Sequence, residues 1–252
     1  YVEKFRDVIR PTGDGGYAVN MDYFSYPSFG QIRPFKRKFI EAFGPPRAPG
    51  EPLLDRHRDL AFALQTVTEE IVLHVVRALM KKSVTRNLCM VGGVALNCVA
   101  NAKILEHTDV KRLWVPPCAS DTGAPFGSAL WHYHQDLGKP RSFELEHALY
   151  GTAYSDEEIT RALKDAGLSY RRMSESTLLG QVAQDLADGK IVGWMQGRFE
   201  MGPRALGNRS ILADPRRADM RDTLNDKVKK RESFRPFAPA VLLERAGEFF
   251  EI

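Results

Sequence analysis

The chain has 252 residues, 43% of them apolar, which is material for one or two domains with modest cores. Its 36 lysines and arginines against 32 acidic residues leave a net charge of +4; this falls far short of the dense basic stripe of a committed nucleic-acid binder and suits an anionic small substrate. Three cysteines without paired metal-ligand spacing (Cys89, Cys98, Cys118) argue against a disulfide framework and for a reduced, cytoplasmic setting, and no signal peptide or membrane-length apolar run is visible.

In chain order, residues 1–54 read as irregular, with short aromatic-rich strands over Tyr17 to Tyr26 and a stiff linker, Gly44 to Gly50. Leu60, Leu64, Val67, Ile71, Val75 and Leu79 recur at three and four residues, which predicts an amphipathic helix over Arg58 to Met80. Leu88 to Val91 reads as a buried strand, Gly92-Gly93 as a turn, Asn97 to Glu106 as a helix and Arg112 to Val115 as a second strand, an order that suggests parallel pairing. A helix over Ala124 to Gln135 ends before Gly138.

A second unit is expected to begin near Ala148. Ser155 to Glu158 starts a helix, Ser169 to Met173 reads as strand, and Ser174 or Ser176 caps a helix that Gly189 ends. Ile191 to Met195 is a strand, Ile211 to Ala213 another, and Asp219 to Lys230 a helix with cations crowding its carboxyl end. Tyr1 in place of Met, and the apolar run Phe249 to Ile252 with no terminating signal, read as cut ends of something longer.

The most informative stretch is Gly197 to Ser210, where Arg198, Arg204 and Arg209 stand among glycines and a proline directly after a strand. Glycine lets the main chain approach a ligand, and guanidinium groups are planar forks for phosphate or carboxylate oxygens, so the stretch reads as an oxyanion cradle. A second cationic run, Lys229 to Pro236, follows. The two are compatible with one polyanionic substrate or with two solvated faces. Gly92-Gly93 between strand and helix is a tight turn or a phosphate receiver. Asp121 is a helix cap, a hydroxyl acceptor or a metal ligand. The six histidines include no pair at metal-binding helical spacing, and Trp131 and Trp194 read as core or interface packing.

As a set, GGVALN, PPCASDTGAPFGSAL, QGRFEMGPRALGNRSILADPR and LNDKVKKRESFRPFAP resemble the nodulation-type and antibiotic-type O-carbamoyltransferases over nearly the whole chain. The resemblance implies an α/β protein holding the second half of an actin-like, ribonuclease H-like domain over residues 1–147, and the N-terminal part of a YrdC-like domain over 148–252. It implies a carbamoyl adenylate made from carbamoyl phosphate and ATP, whose carbamoyl group passes to a hydroxyl of a small molecule or oligosaccharide. By similarity Lys229, Arg235 and Arg204 hold carbamoyl phosphate, with Arg209, Ser210 and Arg231 as further polar contacts. Gly92, Gly93 and Asn97 match the nucleotide-contacting segment, and Asp121 a carboxylate ligand of iron or another divalent metal. The family's histidine-rich metal motif is missing, so the isolated chain is expected to be inactive and to bind metal weakly or not at all. The alternative is a tRNA-modifying module of the threonylcarbamoyl-transfer type.

Overall fold

The computed structural model describes residues 1–25 and 34–251. Tyr26, expected to close a strand, and Ile252, at the end of the last apolar run, lie outside the described residues. The chain forms two compact units, Tyr1–Ala124 and Pro125–Ile252.

The first unit opens with helix α1 (Val2–Val8) and a hairpin of β1 (Ile9–Pro11) and β2 (Tyr17–Val19), in antiparallel register with Ile9 opposite Val19. Helix α2 (Arg37–Phe43) follows, and with α1 it corrects the expectation that residues 1–54 are irregular. Seven-residue helices are too short to show a period and draw their stability from packing. Here the packing is aromatic: Phe5 stacks on Phe43 at 4.4 Å between ring centroids, and Phe39 lies 4.5 Å from Phe43.

Helix α3 (Asp55–Lys82) is the spine of this unit, its first turn fixed where His57 Nδ1 accepts the Leu54 N–H at 3.0 Å. Ala63, Val67 and Ile71 pack with Phe5, Val8, Tyr23 and Phe43. Val76 and Met80 pack instead with Leu88, Ile104 and Val110. Only part of the expected stripe is core, because Leu64 is 53% and Leu79 46% exposed. A four-residue step overshoots a helical turn by about 40°, so a straight helix serving two clusters must move its buried row along by one residue between them.

The second cluster belongs to a parallel unit in which β3 (Asn87–Cys89) and β4 (Arg112–Trp114) pair with Leu88 opposite Leu113. Helix α4 (Cys98–His107) makes the crossover, as strand–helix–strand patterning predicts.

Helix α5 (Ala124–Trp131), all but its first residue in the second unit, runs on through a π-helical turn, His132–Asp136. Helix α6 (Asp156–Asp165) begins at the expected start, which is a capping box, Ser155 Oγ accepting the Glu158 N–H at 3.2 Å and Glu158 Oε2 accepting the Ser155 N–H at 2.8 Å. Ser174 caps α7 (Glu175–Ala187). Residues 169–173 form no strand; Arg172 is instead tied by its guanidinium to Asp156 at the start of α6, a side-chain tether in place of a backbone ladder. Trp131 is exposed and so is not core.

Strands β5 (Val192–Met195) and β6 (Arg209–Leu212) pair antiparallel, with Trp194 opposite Ser210 and Met195 opposite Arg209. Helix α8 (Met220–Thr223) continues as a π-helical stretch, Leu224–Lys229, closed by Lys230 in the left-handed conformation (φ 49°). No side chain of α5, α6 or α7 is buried, whereas three polar residues of this unit are: Glu200, Asp214 and Asn225. Charged and amide groups stay outside unless they are paired, so the partners of these three residues are what holds this unit's loops.

Candidate functional site

The arginine-rich stretch is the connection between β5 and β6, closed at its base by the Gln196 N–H on the Asn208 carbonyl at 2.9 Å. Arg209 and Ser210 are not loop residues but the first two of β6, because Met195 and Trp194 stand opposite them. From outside, the loop is held by the extended segment around Ala148 to Thr152. Gly151 N–H bonds Phe199 O (2.9 Å), Phe199 N–H bonds Thr152 O (3.0 Å) and Met201 N–H bonds Ala148 O (2.7 Å). Gly151 permits this approach: a Cβ there would stand 2.7 Å from both Phe199 Cβ and Phe199 O.

From inside, the loop is folded on a carboxylate. Glu200 is 5% exposed, and its Oε1 accepts the N–H groups of Leu206 (2.9 Å), Asn208 (2.6 Å) and Arg209 (3.2 Å). Gly207, at φ 118°, lets the chain wrap so tightly. Burial pushes the Glu200 carboxyl up, but the converging amides outweigh it and hold the group below the usual carboxylate range. The sequence reading of this loop missed Glu200. The only signal was one acidic residue amid three arginines, which also reads as a solvated ion pair. Three amides of the expected cradle are therefore spent on an internal anion, and its arginines are exposed. Arg198 reaches the Gly151 carbonyl at 2.9 Å, and the Arg209 guanidinium lies 5.7 Å from the Phe199 ring. Arg204 is exposed and makes no hydrogen bond or ion pair among the described residues.

The second cationic run is a turn built on Asn225, whose side chain is fully buried (0% exposed). Its Nδ2 donates to Ser233 O (3.2 Å) and Arg235 O (2.9 Å), and its Oδ1 accepts from Arg231 Nε at 2.6 Å. Arg231 also donates to Pro236 O and covers the Phe237 ring at 4.7 Å, so much of its bonding capacity holds the turn. Arg235 pairs with Glu232 at 3.1 Å. Lys229 is exposed and, among the described residues, without a hydrogen bond or ion pair. The structure thus gathers Lys229, Arg231 and Arg235 on one turn, and Arg204, Arg209 and Ser210 on one hairpin end. Among the described residues no hydrogen bond or ion pair joins the two groups.

Between them in sequence lies Asp214, buried under a forked contact from Arg216: Nε to Oδ1 at 2.8 Å and Nη2 to Oδ2 at 2.7 Å, with the Arg216 N–H on Oδ1 at 3.0 Å. The Arg216 fork and then its amide pull the Asp214 carboxyl from the usual 3.8 down to about 2. A carboxyl lowered in the folded state stabilises above its unfolded value and loses that contribution as pH falls toward the folded value. Urea melts of the wild type should therefore weaken between pH 4 and pH 2 more than those of Asp214→Asn; parallel slopes would refute the pairing.

In the first unit the exits of β3 and β4 lie side by side, since both strands point the same way and the Gly92 N–H bonds the Ala119 carbonyl at 2.6 Å. Crevices at the carboxyl ends of parallel strands are the usual place for ligands in α/β sheets. Gly92 and Gly93 are exposed, and the 3-10 turn Gly93–Leu96 intervenes before α4. Asn97 caps α4, its Oδ1 accepting the Ala100 N–H at 3.1 Å and its Nδ2 donating to Gln65 Oε1 at 2.9 Å. Asp121 is exposed in the first turn of the 3-10 turn Asp121–Gly123; Ser120 holds the cap position, so the capping reading of Asp121 does not hold. Among the described residues no three His, Cys, Asp or Glu side chains group to hold a metal ion. One carboxylate is too few for a divalent site, so the donors among the described residues do not by themselves fit the implied metal. No helix among the described residues is long and apolar enough to cross a membrane.

Comparison with known families gives two matches: the carbamoyltransferase N-terminus over residues 1–130 and the carbamoyltransferase C-terminus over residues 183–252. The uncharacterized protein sll1178 of Synechocystis sp. is 43% identical over 95% of this chain and 40% of its own length. Nodulation protein NolO of Bradyrhizobium diazoefficiens is 39% identical over 100% of this chain and 44% of its own. The 3'-hydroxymethylcephem-O-carbamoyltransferase of Amycolatopsis lactamdurans is 36% identical over 63% of this chain and 29% of its own. The chain spans less than half the length of these relatives.

Proposed function

Since the chain belongs to the carbamoyltransferase family, we propose that it serves transfer of a carbamoyl group to a hydroxyl of a small-molecule or oligosaccharide acceptor, with carbamoyl phosphate and ATP as donors. The nodulation and cephem relatives support the O-carbamoyl reading and make a tRNA-directed role the less favoured one. In this reading residues 1–147 are the second half of an actin-like domain and residues 148–252 the start of a YrdC-like one, acting in the cytoplasm.

The observation that carries the proposal is the pair of cationic segments, each folded around a buried polar side chain and each offering a cation with no protein partner among the described residues: Arg204 in the loop folded on Glu200, and Lys229 at the start of the turn built on Asn225. Making an acyl adenylate brings two polyanions together, and pre-oriented cations lower that cost because no reorganisation is needed at the moment of reaction. Carbamoyl phosphate, with one water, loses inorganic phosphate; a carbamate oxygen attacks the α-phosphorus of ATP, and pyrophosphate leaves. The acceptor hydroxyl then attacks the carbamoyl carbon, AMP departs, and the hydroxyl proton passes to solvent. Arg204, Lys229 and Arg235 neutralise the phosphates in the first step, with Arg209 and Ser210 at the rim and Arg231 holding the turn. Gly92 and Gly93 line the strand exits where a nucleotide phosphate is received. Asn97 fixes the start of α4 behind them, and Asp121 stands at the neighbouring exit.

Active enzyme supplied with ATP should release pyrophosphate only when carbamoyl phosphate is present, and mass spectrometry should find the acceptor heavier by one carbamoyl group. Pyrophosphate release indifferent to carbamoyl phosphate would refute the proposal.

A further inference from the structure

Glu200 is a buried charged group in a stretch that carries three arginines, and only half of it is accounted for. Oε1 takes three amides, while Oε2 is buried and, among the described residues, has no hydrogen-bond partner. A buried carboxylate oxygen without a donor is costly, and such a cost persists where the surrounding structure requires the group for another purpose. A glutamine could satisfy the same amides less strongly and carry no buried charge. A leucine would fill the space without polar cost. What neither supplies is an ionised oxygen strong enough to converge Leu206, Asn208 and Arg209 on one point, which sets the path of the loop between Gly197 and Asn208. That path is also pinned on its outer side through Phe199 and Met201, so the loop is clamped on both faces of Glu200. What emerges from the clamp is Arg204, two residues before the first amide that Glu200 holds.

We propose that Glu200 is the positioning residue of the anion-binding loop: its carboxylate occupies the interior place that a bound phosphate takes in a ligand-built loop, and thereby holds Arg204 ready for the substrate's phosphate. The inference rests on the reading of Arg204 as a phosphate contact. It makes a prediction opposite in sign to simple electrostatics. Removing a negative charge from a loop that carries three arginines should tighten the binding of any anion if charge alone mattered. If position matters, binding weakens in spite of the added net positive charge.

The test uses inorganic pyrophosphate as the probe, titrated into wild-type protein, Arg204→Ala, Glu200→Gln and Glu200→Asp by isothermal calorimetry. Amide hydrogen exchange at Val192 and Trp194, opposite Leu212 and Ser210 in the register that the Gln196–Asn208 bond continues, reports that the β5–β6 pair remains folded. We expect wild type to bind and Arg204→Ala to lose affinity. Glu200→Gln and the charge-conserving but shorter Glu200→Asp should each bind at least about tenfold more weakly, with faster exchange confined to Leu206, Asn208 and Arg209. Unchanged or tighter binding by Glu200→Gln, or wild-type affinity in Glu200→Asp, would overturn the role of Glu200 while leaving the phosphate reading intact. Failure of the wild type to bind, or unaltered affinity in Arg204→Ala, would overturn that reading and the inference with it.

Discussion

Replacing Lys229 by alanine should lower carbamoyl-phosphate-dependent pyrophosphate release by about 10²–10³-fold, while transfer from a supplied carbamoyl adenylate proceeds at the wild-type rate. Lys229 is exposed and, among the described residues, makes no hydrogen bond or ion pair, so its loss should move stability by no more than about 0.5 kcal/mol. The whole effect should then appear in the step where polyanions meet. Arg235→Ala should act on the same step, and because Arg235 also pairs with Glu232 its loss should additionally loosen the turn. Equal loss of adenylate formation and of transfer would mean that these cations hold the fold and do not meet substrate.

Asn225→Ala should be the most destabilising change in the second unit, by about 2–4 kcal/mol in urea melts. The truncation removes the partner of two carbonyls, Ser233 and Arg235, and of the Arg231 guanidinium, and leaves a void where a fully buried side chain stood. Asn225→Asp keeps the shape but turns a donor facing two carbonyls into an acceptor, and should destabilise as well, with partial relief from the charge on Arg231. A loss under about 1 kcal/mol for Asn225→Ala would show that the turn is held by something other than this side chain.

The elements with a long or punctuated pattern were legible in the sequence. Helix α3 announces itself through spacing, the start of α6 is as written in Ser155 to Glu158, and Lys230 closes its helix where cations crowd. Helices α1 and α2 were not legible, since seven residues carry barely two turns and their cause is an aromatic cluster drawn from distant positions. Leu64 and Leu79 misled because hydrophobic spacing marks a helix without saying which of its rows serves which cluster. At the candidate site the arginines and lysines were visible as residues with evident chemistry. Glu200 and Asn225 were not, because a buried polar residue that organises a loop has no spacing of its own, and only its partners reveal it.

The central claim is that Arg204 and Lys229, carried on two different elements, act on one anion. A double-mutant cycle in pyrophosphate affinity, with Arg204→Ala, Lys229→Ala and the pair, tests it most directly. Residues that share a ligand should couple by more than about 0.5 kcal/mol, whereas sites without a common partner add. Coupling above that level is the predicted result; strict additivity would contradict the claim and leave two independent cationic surfaces.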